Sequence, residues 1–296
     1  MIISARHGVI ASTRSKASSP PASTPSSVPL SLEIYSSYGV FVTAANQSQE
    51  IYGSYGIIIP VTLQPTDSAF ADVVLLLHMD GADEGTTFTD SSSSPHTVTA
   101  VGNANTEASV KKFDSTSFEG DGTGDHLSIP DSADWDIGVG GAYGSDIFTL
   151  EGWIRSSDIT KSNNNVCGFG AAGAAHQWLL RHYNNGGTQY LDWQWWNGSS
   201  YSSISDTLTN LSFSQDTWYH VAVSNDGTTT SFYFNGSRIG TSTDAYASRA
   251  SDIMRVGGAD DGSSFHGYID DFRITKGTAR YSGATLTAPT AAFPNS

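Results

Sequence analysis

The chain has 296 residues, of which 38% are hydrophobic and 11% aromatic, with 15% charged and a formal net charge of −15. That apolar share supports a packed core, and the Ser, Thr, Gly, Asn and Asp that fill the remainder suit a loop-rich all-β protein rather than a helical one. The acidic balance repels phosphate backbones and argues against nucleic-acid binding. No run approaches the roughly 18 apolar residues of a membrane helix, and the single Cys167 excludes an intrachain disulfide and a Cys-based zinc site.

Residues 1–30 read as an extended N-terminal arm. Met1–Arg14 (MIISARHGVIASTR) lacks the long apolar core of a secretory signal. The Ser/Pro tract Ser15–Pro29 cannot bury enough apolar surface to fold alone. Residues 31–71 contain a repeat: IYSSYGVFV at Ile34–Val42 recurs as IYGSYGIII at Ile51–Ile59. Each copy is a Tyr-rich, β-branched strand candidate. A two-stranded ribbon is marginal alone, so this one packs either on its own chain or against copies of itself or a partner. Pro60, Pro65 and Asp67 mark the passage into the main domain, expected over 72–296.

In that domain short aromatic and β-branched runs alternate with Gly and Asp turns. QWLLRHY at Gln177–Tyr183 and YLDWQWWNG at Tyr190–Gly198 flank Asn184–Gly187 and predict a hairpin. Trp218–Ser224 and Thr229–Asn235 flank Asn225-Asp226-Gly227 and predict a second. Phe265–Thr275 is the last strand, and Thr278–Tyr281 is the best candidate for a helical turn in a chain without a long 3.6-residue period. About a dozen strands in two sheets are expected.

Several of these segments, in this order, resemble the laminin-G-like jelly roll of the concanavalin A-like lectin/glucanase superfamily. VVLLLHMDGADEGTTFTD resembles its opening strand and loop, FEGDGTGDHLSIPDSADWDIG its "FDG-x-GD-x-L-x-I-P" segment with Glu119 in place of Asp, and FTLEGWIR the strand that follows. WYHVAVSNDGTTTSFYFNGSRIG and FHGYIDDFRITKGTARYSG complete the resemblance, which spans Val73 to Phe293. It implies an all-β, antiparallel two-sheet jelly-roll sandwich, here preceded by the arm and the small ribbon. It does not fix function, because the superfamily holds binding modules, enzymes and structural proteins. The closing ITKGTARYSGATLTAPTAAFP resembles the version common in tailed-phage structural proteins.

Glycoside hydrolysis needs two carboxyl groups flanking the scissile bond. No E-x-D-x-x-E-like strand is present, Glu107 and Glu119 have no strand partner of the right kind, Glu151 stands alone between Leu150 and Gly152, and neither a G-x-S-x-G elbow nor an H-E-x-x-H helix occurs. A non-enzymatic protein is expected. In GYIDDFRIT, Asp271 is expected to pair with Arg273 in the open, while Asp270 shares the face of Phe272 and Ile274 and needs backbone donors, a basic partner or a cation. The resemblance permits a structural Ca²⁺ at Asp80 and Asp270, since first and last strands neighbour each other in such sandwiches.

A sugar site needs aromatic rings with polar groups at their edges. In YLDWQWWNG, Leu191, Trp193 and Trp195 form a core face, whereas Tyr190, Asp192, Gln194 and Trp196 form a second face that is aromatic and polar together. The paired strand adds Arg181 and Tyr183. These six residues are the candidate glycan site; the alternative is that loops or a neighbouring subunit bury them. The reading is a phage virion protein, exposed on the particle surface. Residues 1–71 would bind other virion proteins, homo-oligomerisation (a trimer is one form) would supply avidity, and the jelly roll would recognise host surface polysaccharide as a tail or neck fibre. A capsid decoration protein without sugar binding is the alternative.

Overall fold

The computed structural model describes residues 66–137, 147–171, 176–249 and 253–296, together with five short strands nearer the N-terminus. The chain divides into two compact units, Met1–Pro65 and Thr66–Ser296. In the first, β1 (Ser4–Ala5), β2 (Val9–Ser12) and β3 (Glu33–Tyr35) form one antiparallel sheet, and β4 (Gln49–Tyr52) pairs with β5 (Ile58–Val61). Among the described residues the repeat copies do not pair with each other. Ile34 lies opposite Ala11, and Ile51 opposite Ile59 inside the second copy, where the short connection makes closure cheap. The rest of both copies, and the Ser/Pro tract, lie outside the described residues.

The second unit is an all-β sandwich. Its strands are β6 (Val73–Leu77), β7 (Thr99–Val101), β8 (Asn105–Glu107), β9 (Ser117–Asp121), β10 (His126–Pro130), β11 (Phe148–Ser156), β12 (Asn163–Gly170) and β13 (His176–Asn185). They are followed by β14 (Thr188–Trp196), β15 (Tyr201–Thr207), β16 (Tyr219–Asn225), β17 (Thr230–Phe234), β18 (Ser237–Ser242), β19 (Ile253–Val256) and β20 (His266–Lys276). One sheet has the order β15-β14-β13-β12-β19-β10-β7; the other runs β18-β17-β16-β11-β20-β9-β8, with β6 also paired to β20. All these pairings are antiparallel.

Period-two alternation positions the core. Trp178, Leu180, Leu191, Trp193 and Trp195 of the seven-stranded sheet and Leu150, Ile154, Val221, Val223, Phe232 and Ile274 of the other join one buried cluster. Burial of each such side chain stabilises the fold by roughly 1.5–3 kcal/mol. Two of the buried indole N–H groups keep partners in the core: Trp178 donates to the Trp135 carbonyl at 2.8 Å and Trp193 to the Tyr246 hydroxyl at 2.9 Å, whereas the Trp153 N–H is buried without one. Cys167 is fully buried on β12, and burial pushes its thiol pKa up.

The structure departs from the sequence reading in three places. The domain starts at Thr66, because Asp67 is clamped by Arg273 at 2.9 Å and Arg280 at 2.6 Å and its amide donates to the Ser296 carbonyl. Helical turns occur at Phe70–Asp72 and Ala133–Trp135, not at Thr278–Tyr281, where the Arg280 side chain is bonded to Asp67 and Thr275 instead. Asp271 does not pair with Arg273. A bulge sets Asp271 and Phe272 against Gly152, with Asp271 at φ 48°, so Ile269, Phe272 and Ile274 all reach the core. Asp271 is buried against His78 (2.7 Å) and the Phe293 amide (2.7 Å), while Arg273 turns to Glu151 and Asp67.

Candidate functional site

The outer face of the seven-stranded sheet gathers the six candidate residues. The two-residue turn Gly186–Gly187, with φ of 59° and 90°, sets the β13–β14 register. Tyr183 then faces Tyr190 and Arg181 faces Asp192, with Gln194 and Trp196 following on the same side of β14. Arg181 Nε donates to Asp192 Oδ2 at 3.2 Å, and its guanidinium lies 4.4 Å from the centroid of the Tyr183 ring. Tyr183 and Tyr190 stack with centroids 5.6 Å apart. All of the six except Asp192 are partly exposed; Asp192 is 1% exposed.

Neighbouring elements add residues that sequence reasoning missed. His176, at the start of β13, donates from Nε2 to Gln194 Oε1 at 2.8 Å and stacks on Tyr201 of β15, ring centroids 4.4 Å apart. Tyr201 meets Trp196 edge-on at 5.6 Å, and the Arg249 guanidinium covers the Trp196 ring at 4.1 Å. The β12–β19 side contributes Asn165, opposite Arg181, and Asp260. Asp260 sits against Gly170, where a Cβ would lie 3.2 Å from its carboxyl carbon and 2.6 Å from the His176 Cα, so only glycine fits. The strand pattern contains a signal for Tyr201, which lies across from Trp196; Arg249 and Asp260 arrive on loops that alternation does not place.

The electrostatics of this face are unusual in one respect: buried acceptors lack donors. Asp192 Oδ1, Asn165 Oδ1 and both carboxylate oxygens of Asp260 have no hydrogen-bond partner. Burial pushes the Asp192 carboxyl up to about 6, with Arg181 opposing it. Burial, with the neighbouring Asp261 charge adding to it, does the same to Asp260. Burial lowers His176 to about 4, which keeps the ring neutral. With Nε2–H on Gln194, its Nδ1 is an acceptor and gives Asp260, 3.8 Å away, no proton. The centre of the face is therefore short of donors, which a hydroxyl-bearing ligand or ordered water supplies. The rings do not form one bare platform, since Tyr183 and Trp196 each carry a guanidinium on one face.

Asp80 and Asp270 lie beside the paired first and last strands, where Leu77 of β6 faces Phe272 of β20. Asp270 Oδ2 accepts from the Lys112 and Phe113 amides at 2.7 and 3.0 Å, which is the backbone capping the sequence allowed. Its Oδ1 is buried without a partner, and burial raises the carboxyl to about 7. Asp80 Oδ1 takes the Ser115 amide and hydroxyl at 2.8 and 2.6 Å. No group of three His, Cys, Asp or Glu converges among the described residues. A hard cation here would use Asp270 Oδ1 and Asp80 and complete its shell with carbonyls and water, which Ca²⁺ accepts.

Glu151, the isolated strand carboxylate, is fully buried in an ion network on the other sheet. Its Oε1 accepts from Arg273 Nη2 and Nε at 2.6 and 3.1 Å, and its Oε2 from the Tyr281 hydroxyl at 2.7 Å. With both oxygens engaged, it has no opening to a substrate.

A two-sheet jelly roll whose outer face collects rings, amides and guanidiniums defines a lectin-like domain. The chain belongs to the concanavalin A-like lectin/glucanases superfamily: its Laminin_G_3 family matches residues 121–280, more than half of the sequence. Among solved structures it is similar to the botulinum neurotoxin serotype D binding domain, with TM-score 0.50 and 17% identity over 71% of this chain and 49% of that one. It is also similar to the binding domain of Paraclostridial Mosquitocidal Protein 1, with TM-score 0.51 and 15% identity over 72% of this chain and 51% of that one. The chain thus spans about half the length of each, and at these identities the likeness is one of fold. No curated protein matches the sequence. No helix among the described residues is long and apolar enough to cross a membrane.

Proposed function

We propose that this chain is a phage virion protein whose jelly roll binds host surface glycan without cleaving it, in the manner of a tail or neck fibre. Residues 1–65 attach it to other virion proteins, and homo-oligomerisation multiplies a weak sugar site. The observation that carries the binding role is the outer face of the seven-stranded sheet. Arg181, Gln194, His176 and four aromatic rings line it, and its buried acceptors ask for donors. Sugars supply such donors as hydroxyls and offer C–H faces to rings. A structural Ca²⁺ at Asp80 and Asp270 belongs to the same reading, in which it ties the first strand to the last.

The test is a glycan array probed with the full chain in Ca²⁺ and in EDTA, alongside Trp196→Ala and Arg181→Ala. Saturable binding lost in both variants supports the reading, and a folded protein that binds no glycan sinks it. One observation favours a second reading, capsid decoration. Arg249 covers Trp196, and Tyr183 and Tyr190 cover each other, as packing residues do. Under that reading no sugar binds and the face is buried by neighbouring subunits on the particle.

A further inference from the structure

We propose a second binding site, independent of the sheet face, at the end of the sandwich beside the β13–β14 hairpin. A pocket of about 400 Å³ opens there between the hairpin and the segment that follows β15. That volume lies within the range of small-ligand sites, about 300–1,000 Å³. Ile159, Leu208 and Phe213 give it an apolar floor, and Thr188, Thr209 and Ser214 place hydroxyls around it that make no hydrogen bonds within the described protein. Gln189 supplies the chemical direction. Its Nε2 is engaged by the Thr160 carbonyl at 3.1 Å, while its Oε1 is buried with no partner. An unsatisfied buried acceptor destabilises the site that holds it, and a ligand hydroxyl relieves that cost.

The lining contains no Asp, Glu, Lys, Arg or His. Nothing there neutralises a charged ligand, and the chain's net charge of −15 repels an anion before it arrives. A purely apolar ligand would leave Gln189 Oε1 and the hydroxyls unmet. The ligand class that satisfies both the floor and the rim is a small, uncharged polyhydroxylated molecule of monosaccharide size. The pocket has walls to hold it: Leu208 N donates to the Gln189 carbonyl at 3.0 Å and Phe213 N to the Leu208 carbonyl at 2.8 Å, which fix the segment against the strand.

The experiment is saturation-transfer NMR and calorimetric titration of the full chain with D-glucose, D-galactose, D-mannose and D-glucuronate. Two variants accompany it, each checked for native circular dichroism and melting: Ser214→Trp, which sets a ring across the pocket, and Gln189→Leu, which removes the orphan acceptor. All titrations are made in the Trp196→Ala background, where the sheet-face ring is gone and the sugar that still binds is the pocket's. The expected result there is binding of at least one neutral sugar, abolished by adding Ser214→Trp and weakened about tenfold or more by adding Gln189→Leu, with glucuronate weaker than its neutral counterpart. Three results overturn the proposal: no sugar binds in the Trp196→Ala background, glucuronate binds better than glucose, or that binding survives the addition of Ser214→Trp.

Discussion

Replacing Glu151 tests the buried network that joins the start of the domain to its end. Burial alone would raise the Glu151 carboxyl, but the adjacent His220 imidazole and the Arg273 guanidinium reverse this and hold it at about 2, against 4.5 for the free side chain. His220 Nε2 lies 3.3 Å from Oε2 without hydrogen-bond alignment, so the Arg273 and Tyr281 bonds carry the geometry. A depressed carboxylate pKa contributes stability that is fully present above the unfolded value and disappears as pH falls through the folded value. The difference between 4.5 and about 2 corresponds to about 3 kcal/mol. Glu151→Gln keeps one acceptor oxygen for Arg273, turns an amide NH2 toward Tyr281 and loses the charge, so at pH 7 it should cost about 3 kcal/mol. Glu151→Leu, which strands Arg273, should cost about 3–5 kcal/mol. For a domain of this size the first loss lowers Tm by roughly 6–12 °C. Urea denaturation of wild type and Glu151→Gln at pH 7, 5, 4 and 3 is the assay. The gap should hold down to pH 5 and shrink below about 4.5, where Glu151 of the unfolded wild type takes up a proton that the native state does not bind until about pH 2. A gap under 1 kcal/mol at pH 7, or one that stays constant to pH 3, would refute this reasoning.

Other expectations follow from single contacts. Ca²⁺ at a hundredfold excess over its Kd should stabilise wild type over EDTA by about 3 kcal/mol, with no effect on Asp270→Asn; equal melting of wild type in both buffers removes the cation from the account. Trp193→Ala empties a fully buried site stacked 5.6 Å from Trp178 and should cost about 3–5 kcal/mol by denaturant titration; a cost under 1 kcal/mol would mean the core is not packed as described. Cys167, fully buried with its thiol pKa raised, should resist a thiol-specific reagent until the domain unfolds, so labelling under native conditions counts against its burial.

The sheet face was legible in the sequence because nothing interrupts it. From Arg181 through Gly186–Gly187 to Trp196 the strands keep a strict two-residue period and a two-residue turn, so alternation places all six side chains on the predicted side. Alternation failed at β20, where one extra residue opposite Gly152 reverses the faces and sends Asp271 to His78 instead of Arg273. A bulge leaves little trace in a single sequence when the residue at positive φ is Asp rather than Gly. The partners of Glu151 were equally hidden. Arg273, Tyr281 and His220 are each at least 69 positions away, and only the strand order β16-β11-β20 brings them to it. His176, Arg249 and Asp260 join the face for the same non-local reason, whereas Tyr201 was within reach of the pattern that found Trp196. Local chemistry thus gave the rings, and topology supplied the groups that cover or orient them.

Glycan binding by the outer face of the seven-stranded sheet is decided by calorimetric titration of the full chain with purified host surface polysaccharide, repeated with Arg181→Ala and with Trp196→Ala. Saturable binding by wild type is expected, with a loss of tenfold or more in each variant and melting curves close to wild type. Binding that is unaffected by either substitution, or none at all by the folded wild type, would contradict it.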